Sequence, residues 1–170
     1  MASLMDDLLD VLESEEKEYC SLIELSKLKR QVIIEADIEN LEKITDQEQL
    51  IADMLHNLEL RRSSVLSDMA VVLGKEAEEL TIEKMIGILD KQPKEQKRLM
   101  ECREKLHATL DEMKKCNHQN QVLLQQALEM VEFDLTLFRS LRQAPETANY
   151  NKNACNTGAL LGSAGFDAKQ

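Results

Sequence analysis

Between residues 41 and 72, side chains recur at steps of three and four without a slip: Leu41, Ile44, Glu48, Ile51, Leu55, Leu58, Arg62, Val65, Met69 and Val72. Eight of these ten stations are apolar against 43% of the whole chain, which makes the spacing a coiled-coil-like seam rather than chance. A chain built around such a seam folds by pairing long helices. The composition agrees: 5 Gly, 2 Pro and 3% aromatics with 31% charged residues describe solvated helices, not a sheet. The fold class expected is all-α, in one domain, since 170 residues suffice for a single modest core.

Other elements follow from stripes and punctuation. A first helix is expected from Ser3, as N-cap, to about Glu35, with Leu4, Leu8, Leu12, Tyr19, Leu22, Ile23, Leu25, Val32 and Ile33 on one broad face. Asp37 fits as N-cap of the seam helix, so the two fold back as an antiparallel hairpin; with no Gly or Pro at the turn, a continuous helix is the alternative. Gly74 suits the C′ position that ends the second helix. Beyond the link "KEAEEL", Thr81 caps a short helix whose Ile82, Met85, Ile86 and Leu89 share a side and lid one end of the bundle. Pro93 suits the first turn of a last helix running from about Lys94 to Leu141 or Gln143, on the order of 70 Å against roughly 50 Å for each of the first two. Its far end should outrun its partners. The reading is an elongated antiparallel helical bundle of three long helices plus one short helix over 1–143. The Asn-, Ala- and Gly-rich stretch 144–170 has the composition of a tail, flexible or ordered by a partner.

Charge narrows the function. The net charge is −11, and residues 1–90 carry 22 Asp+Glu against 9 Lys+Arg, which argues against nucleic acid or an anionic bilayer as partner. The segment 91–115 has eight basic residues against five acidic ones, suited to packing on the acidic half of the same chain or to an outside partner. The longest apolar run, "MAVVL", is far too short to cross a membrane, and "MASLMDDLLD" has Asp where a signal peptide carries Lys or Arg. With Cys20, Cys102, Cys116 and Cys155 lacking any CxxC spacing, a cytoplasmic protein with reduced thiols is expected.

In the same heptad frame the last helix reads Leu99, Arg103, Leu106, Leu110, Met113, Asn117, Asn120, Leu124, Ala127, Val131, Asp134, Phe138 and Leu141, which sets two asparagines on consecutive core stations. They form either an internal polar layer that fixes register, with Asn120 near Ile51 and within about a turn of Glu48, or an open partner-facing patch. Asp53 with His56 and Glu104 with His107 have di-iron-like spacing, but the frame points these groups outward. There is no phosphate loop, no GxSxG and no nucleophile–histidine pair, so no enzyme, metal or cofactor is expected.

Several stretches in order, "LLDVLESEEKEYCSLIELS", "DIENLEKITDQEQLIADMLHNLELRR", "VLGKEAEELTIEKMIGIL", the N-x-x-N-x-x-L-L run of Asn117, Asn120, Leu123 and Leu124, and "ANYN" in the tail, together resemble the FlgN-type flagellar export chaperones. The resemblance implies a cytosolic chaperone of type III export. Such a protein escorts hook-associated proteins of the hook–filament junction, holds a terminal segment of the client, keeps it from self-association and passes it to the flagellar export apparatus. Carried over by position, the partner-binding face would involve Val131, Leu135, Phe138 and Leu141, with Tyr150 as the tail tyrosine and Asn117, Asn120 and Leu124 in the amide run. The last helix supports this independently, because an apolar face without an internal partner suits helix-pairing recognition. The competing readings are an adaptor coiled-coil homodimer and a flagellar chaperone for cap or filament subunits.

Overall fold

The computed structural model describes residues 2–75 and 80–143. Among these there are four helices and no strand: α1 (Ala2–Ile34), α2 (Ile38–Leu73), α3 (Ile82–Ile88) and α4 (Pro93–Gln143), with one 3-10 turn, Leu89–Lys91, ahead of α4. The chain is therefore an all-α protein. Packing divides it into two units, Met1–Val131 and Glu132–Gln170; of the second, the described part is the helical stretch 132–143.

Helix boundaries have local causes. The Asp37 carboxylate accepts from the Asn40 amide at 3.1 Å, and the Thr81 hydroxyl accepts from the Lys84 amide at 3.2 Å, each satisfying an otherwise orphaned donor in a first turn. Pro93 opens α4, where its missing N–H costs nothing. Gly74 ends α2 at φ 63, donating to Val71 O while Lys75 donates to Ala70 O. The α1–α2 turn uses the same bonding pattern with a different residue: Ala36 sits at φ 54, its amide donates to Ile33 O at 3.2 Å, and the Asp37 amide donates to Val32 O at 3.1 Å. That explains the turn without Gly or Pro: an alanine accepts the left-handed conformation and carries the Cβ strain. Ser3 lies within the first turn of α1, which begins at Ala2, so it is not the cap expected.

The first unit is a three-helix packing closed at one end. Lys29 pairs with Glu48 at 2.5 Å and Glu15 with Arg62 at 2.8 Å, so α1 and α2 are antiparallel, and Ser26 lies opposite Ile51. Arg98 pairs with Asp6 at 3.2 Å, Lys105 with Glu16 at 3.0 Å, and Asn120 bonds to Ser26 at 2.7 Å, so α4 runs parallel to α1. The basic start of α4 thus meets acidic residues of its own chain, Arg103 also pairing with Glu83 of α3. At the closed end Met5, Leu8, Leu9 and Leu12 of α1 pack with Val65, Met69 and Ala70 of α2, Leu99 and Leu106 of α4, and Met85 of the α3 lid with Leu80 and Leu89 on either side of it in the chain. Nine of the ten α2 stations are buried or half-buried. The exception is Val72, which faces solvent while Leu73 packs on the core, because a real helix turns in 3.6 residues and drifts off a strict heptad by the last turn.

Glu15 is buried at the α1–α2 seam, and burial raises its pKa above the ordinary 4.5, only partly offset by the Arg62 charge and hydrogen bond. Because the folded value is raised, ionising Glu15 costs stability as pH climbs through that value. Arg62→Met should therefore destabilise by about 2 kcal/mol near pH 7, below the roughly 3–5 kcal/mol of a fully buried pair because the Arg62 side chain is 29% exposed. The loss should shrink as pH is lowered and Glu15 takes up a proton, as read by urea unfolding at pH 7 and at successively lower pH. In the same assay Ala36→Gly should add about 0.5–1 kcal/mol and Gly74→Ala should remove about 1 kcal/mol.

Candidate protein-binding surface

Three turns of α4 decide what its amides do. Asn120 is buried, 3% exposed; its Nδ2 donates to the Ser26 backbone oxygen, while its buried Oδ1 has no protein partner. Asn120 lies level with Ile51, as the sequence register anticipates, but it bonds to α1 and leaves Glu48 to Lys29. Asn117 is exposed and Cys116 is buried in its place. The expectation of two asparagines on consecutive core stations is corrected: the inward path steps Met113, Cys116, Asn120. Neighbouring residues on a helix point about 100° apart, and the side of α4 that meets α1 at Ser26 is the one carrying Cys116 and Asn120, so Asn117 points outward. Beside this layer the Arg30 guanidinium donates to the Gln119 side-chain oxygen, and both line a shallow depression with His118, Val122 and Leu123.

The burial of α4 then gives out. Leu123, Leu124 and Ala127 are half-buried, and every residue with a described side chain from Leu128 onward is exposed. In the first unit this leaves Leu128, Met130 and Val131 open to solvent. In the second unit Leu135, Phe138 and Leu141 are exposed as the sequence expects, and so are Phe133 and Leu137, which the heptad frame misses. Counting by 3.6 residues finds these two: Phe133, Leu137 and Leu141 form a stripe at i, i+4, i+8, and Leu135 with Phe138 forms another at i, i+3. Asp134 lies between the stripes. On the remaining side are Glu132, Thr136, Arg139 and Ser140, the two hydroxyls bonding back to Glu132 O at 2.9 Å and Leu137 O at 2.7 Å. Apolar residues therefore spread over about 200° of the circumference, with Asp134 and, between Phe138 and Leu135, Arg142 as the charges inside the arc, which in water asks for a cover. Tyr150 lies outside the described residues.

Chemistry of other kinds finds little support. Asp53, His56, Glu104 and His107 are all exposed, and among the described residues no group of three or more potential ligands could hold a metal. No helix among them is long and apolar enough to cross a membrane. The α1–α4 groove is lined by Leu9, Glu13, Glu16, Lys17, Arg98 and Lys105, mostly charges that answer each other. In it burial pushes the Glu16 carboxyl up, but hydrogen bonds from Lys105, Cys20 and Thr109 outweigh that and hold it below its ordinary value. What the first unit supplies is a firm packing, and what α4 adds is exposed apolar surface.

A family model described as "FlgN protein" matches residues 1–157, nearly the whole chain and a span that takes in α1 through α4 and Tyr150. The chain belongs to the FlgN family of flagellar export chaperones. No curated protein and no solved structure matches it. Membership in the FlgN family makes the chain a chaperone with flagellar protein partners and not an enzyme, so its working surface is one that holds another protein. The two asparagines differ in burial, Asn120 being covered and Asn117 facing solvent. Asn120→Leu should stabilise the fold by about 1 kcal/mol by removing a half-satisfied buried amide, while Asn117→Leu should shift stability by less than about 0.5 kcal/mol in thermal and urea unfolding.

Proposed function

We propose that this FlgN-family protein works in the cytoplasm as the export chaperone of flagellar hook-associated proteins. On this reading it binds the terminal segment of a hook–filament junction protein, keeps it from self-associating and delivers it to the type III export apparatus. The client lies against the end of α4, where Leu135, Phe138 and Leu141 make the centre of the contact. Leu124 and Val131 on earlier turns, Asn117 on the exposed side and Tyr150 in the tail add to it, and Asn120 serves from within by fixing the helix that carries them. Phe133 and Leu137 join the list from their exposure.

One observation carries this reading: a stretch of helix with five exposed apolar residues, two of them phenylalanines, and no described residue covering it. Helix-in-groove and helix-pairing recognition use such a face, with anchors at i, i+3, i+4 and i+7. Holding a segment of a partner this way withholds its own apolar stripe from other copies, which is what a chaperone of a polymerising protein has to do.

Phe138→Glu should abolish co-purification with a hook-associated protein while helicity by circular dichroism is retained. A chain ending at Gln143 tests the tail: weaker client binding is expected, and binding equal to that of the full chain removes Tyr150 from the contact. Sedimentation gives the opposing result, since a stable dimer that buries Phe138 and excludes client would replace this reading with that of an adaptor homodimer.

A further inference from the structure

In the first unit each charged residue on a seam station meets an opposite charge from a neighbouring helix. Glu48 meets Lys29, Arg62 meets Glu15, and Arg103 meets Glu83. The reason is energetic: a lone charge covered by apolar side chains loses its hydration and gains nothing back, at a cost of several kcal/mol. A fourth charged station lies in the second unit. Asp134 has Leu137, Phe138 and Leu141 at i+3, i+4 and i+7, all exposed, and sits between the two apolar stripes.

Among the described residues nothing forms an ion pair with Asp134. The basic residues of its own helical stretch are Arg139 and Arg142, at i+5 and i+8; Arg139 lies on the polar side and Arg142 two turns away, so neither has the i+3 or i+4 spacing of an intrahelical pair. Any helix that covers Phe138 and Leu137 also covers Asp134. An uninterrupted apolar stripe laid there would strip this carboxylate of water without replacing it, and an acidic residue there would add repulsion.

We propose that Asp134 selects the client: the α4 face accepts an amphipathic helix whose apolar stripe is interrupted, opposite Asp134, by one lysine or arginine. This rests on the chaperone reading and adds the chemistry of the segment that the face takes. A second copy of this chain paired in parallel and in register would set Asp134 against Asp134, so a client with a basic station is the better-matched occupant. Phe138 and its apolar neighbours supply attraction to any apolar stripe, whereas Asp134 supplies discrimination among them.

The test titrates the full-length chain against a full-length hook-associated protein by calorimetry, with Asp134→Asn, Asp134→Lys and Phe138→Glu beside the unsubstituted chain. Asp134→Asn should weaken binding about fivefold and Asp134→Lys about 30-fold or more. Helicity and the urea midpoint should stay unchanged, because Asp134 is exposed in the free chain. Reversing each Lys or Arg of the client's protected segment to Glu, one at a time, should identify one substitution that restores binding to Asp134→Lys and to no other variant. If Asp134→Lys binds like the unsubstituted chain while Phe138→Glu does not bind, selection by Asp134 is overturned and the chaperone reading stands. Weakened binding that no client reversal restores also overturns it, as does a dimer of this chain that forms through Asp134. Absence of any complex with the unsubstituted chain sinks both.

Discussion

Two ion pairs in the α1–α2 seam, Lys29 with Glu48 and Glu15 with Arg62, allow one register and disfavour the others. Sliding α1 by one turn either way would set Glu48 against Ile33 or Leu25 and Arg62 against Tyr19 or Val11, leaving both charges to be desolvated by apolar neighbours. The apolar stations alone would tolerate such a slip, since leucine packs against leucine in many registers. With α1 and α2 fixed, the Ser26 carbonyl has one place to be, and Asn120 bonds to it to fix the height of α4. The position of the last helix, and so of the surface it exposes, descends from two charges placed where the pattern calls for leucine.

Packing is uneven along the first unit. The side chains buried to below 2% exposure, Leu8, Leu12, Met69, Met85 and Leu99 among them, gather at the closed end under α3. Toward the α1–α2 turn the buried apolar residues thin to Ile23, Ile33 and Ile44, while Ile34 and Ile38 are exposed. Local opening costs least where few apolar contacts are buried, so hydrogen exchange should be slowest at the closed end and faster near the turn. Segments of low local stability are the ones from which binding surfaces are drawn, and α4 loses its cover at the turn end of this gradient.

Much of the fold was legible because its signals are local. Asp37, Thr81, Gly74 and Pro93 each mark a boundary through a backbone group that only a few residue types can satisfy, and the α2 seam is long enough to show its period. Ala36 carries no such signal, since alanine is common inside helices and its left-handed conformation is imposed by the two elements it joins. Asn117 carries no local sign of facing outward, because a strict heptad and a regular 3.6-residue helix both return it to the side of Leu99, and only the contact of α4 with Ser26 selects Cys116 and Asn120 as the inward pair. On the candidate surface the frame found Val131, Phe138 and Leu141, the family resemblance added Leu135, and both passed over Leu128, Met130, Phe133 and Leu137. Those lie off the seam, and whether an off-seam residue is open depends on what is absent around it, which no periodicity records.

The parallel course of α1 and α4 has a practical side. The beginning of α1 lies beside Arg98, and α4 must climb 26 residues, about 40 Å, before it reaches Leu124. A fluorophore, affinity handle or surface tether fixed to the amino terminus is thereby kept away from Leu124 and the turns around it. The first unit can be held by its closed end while the turns around Leu124 stay clear of the attachment.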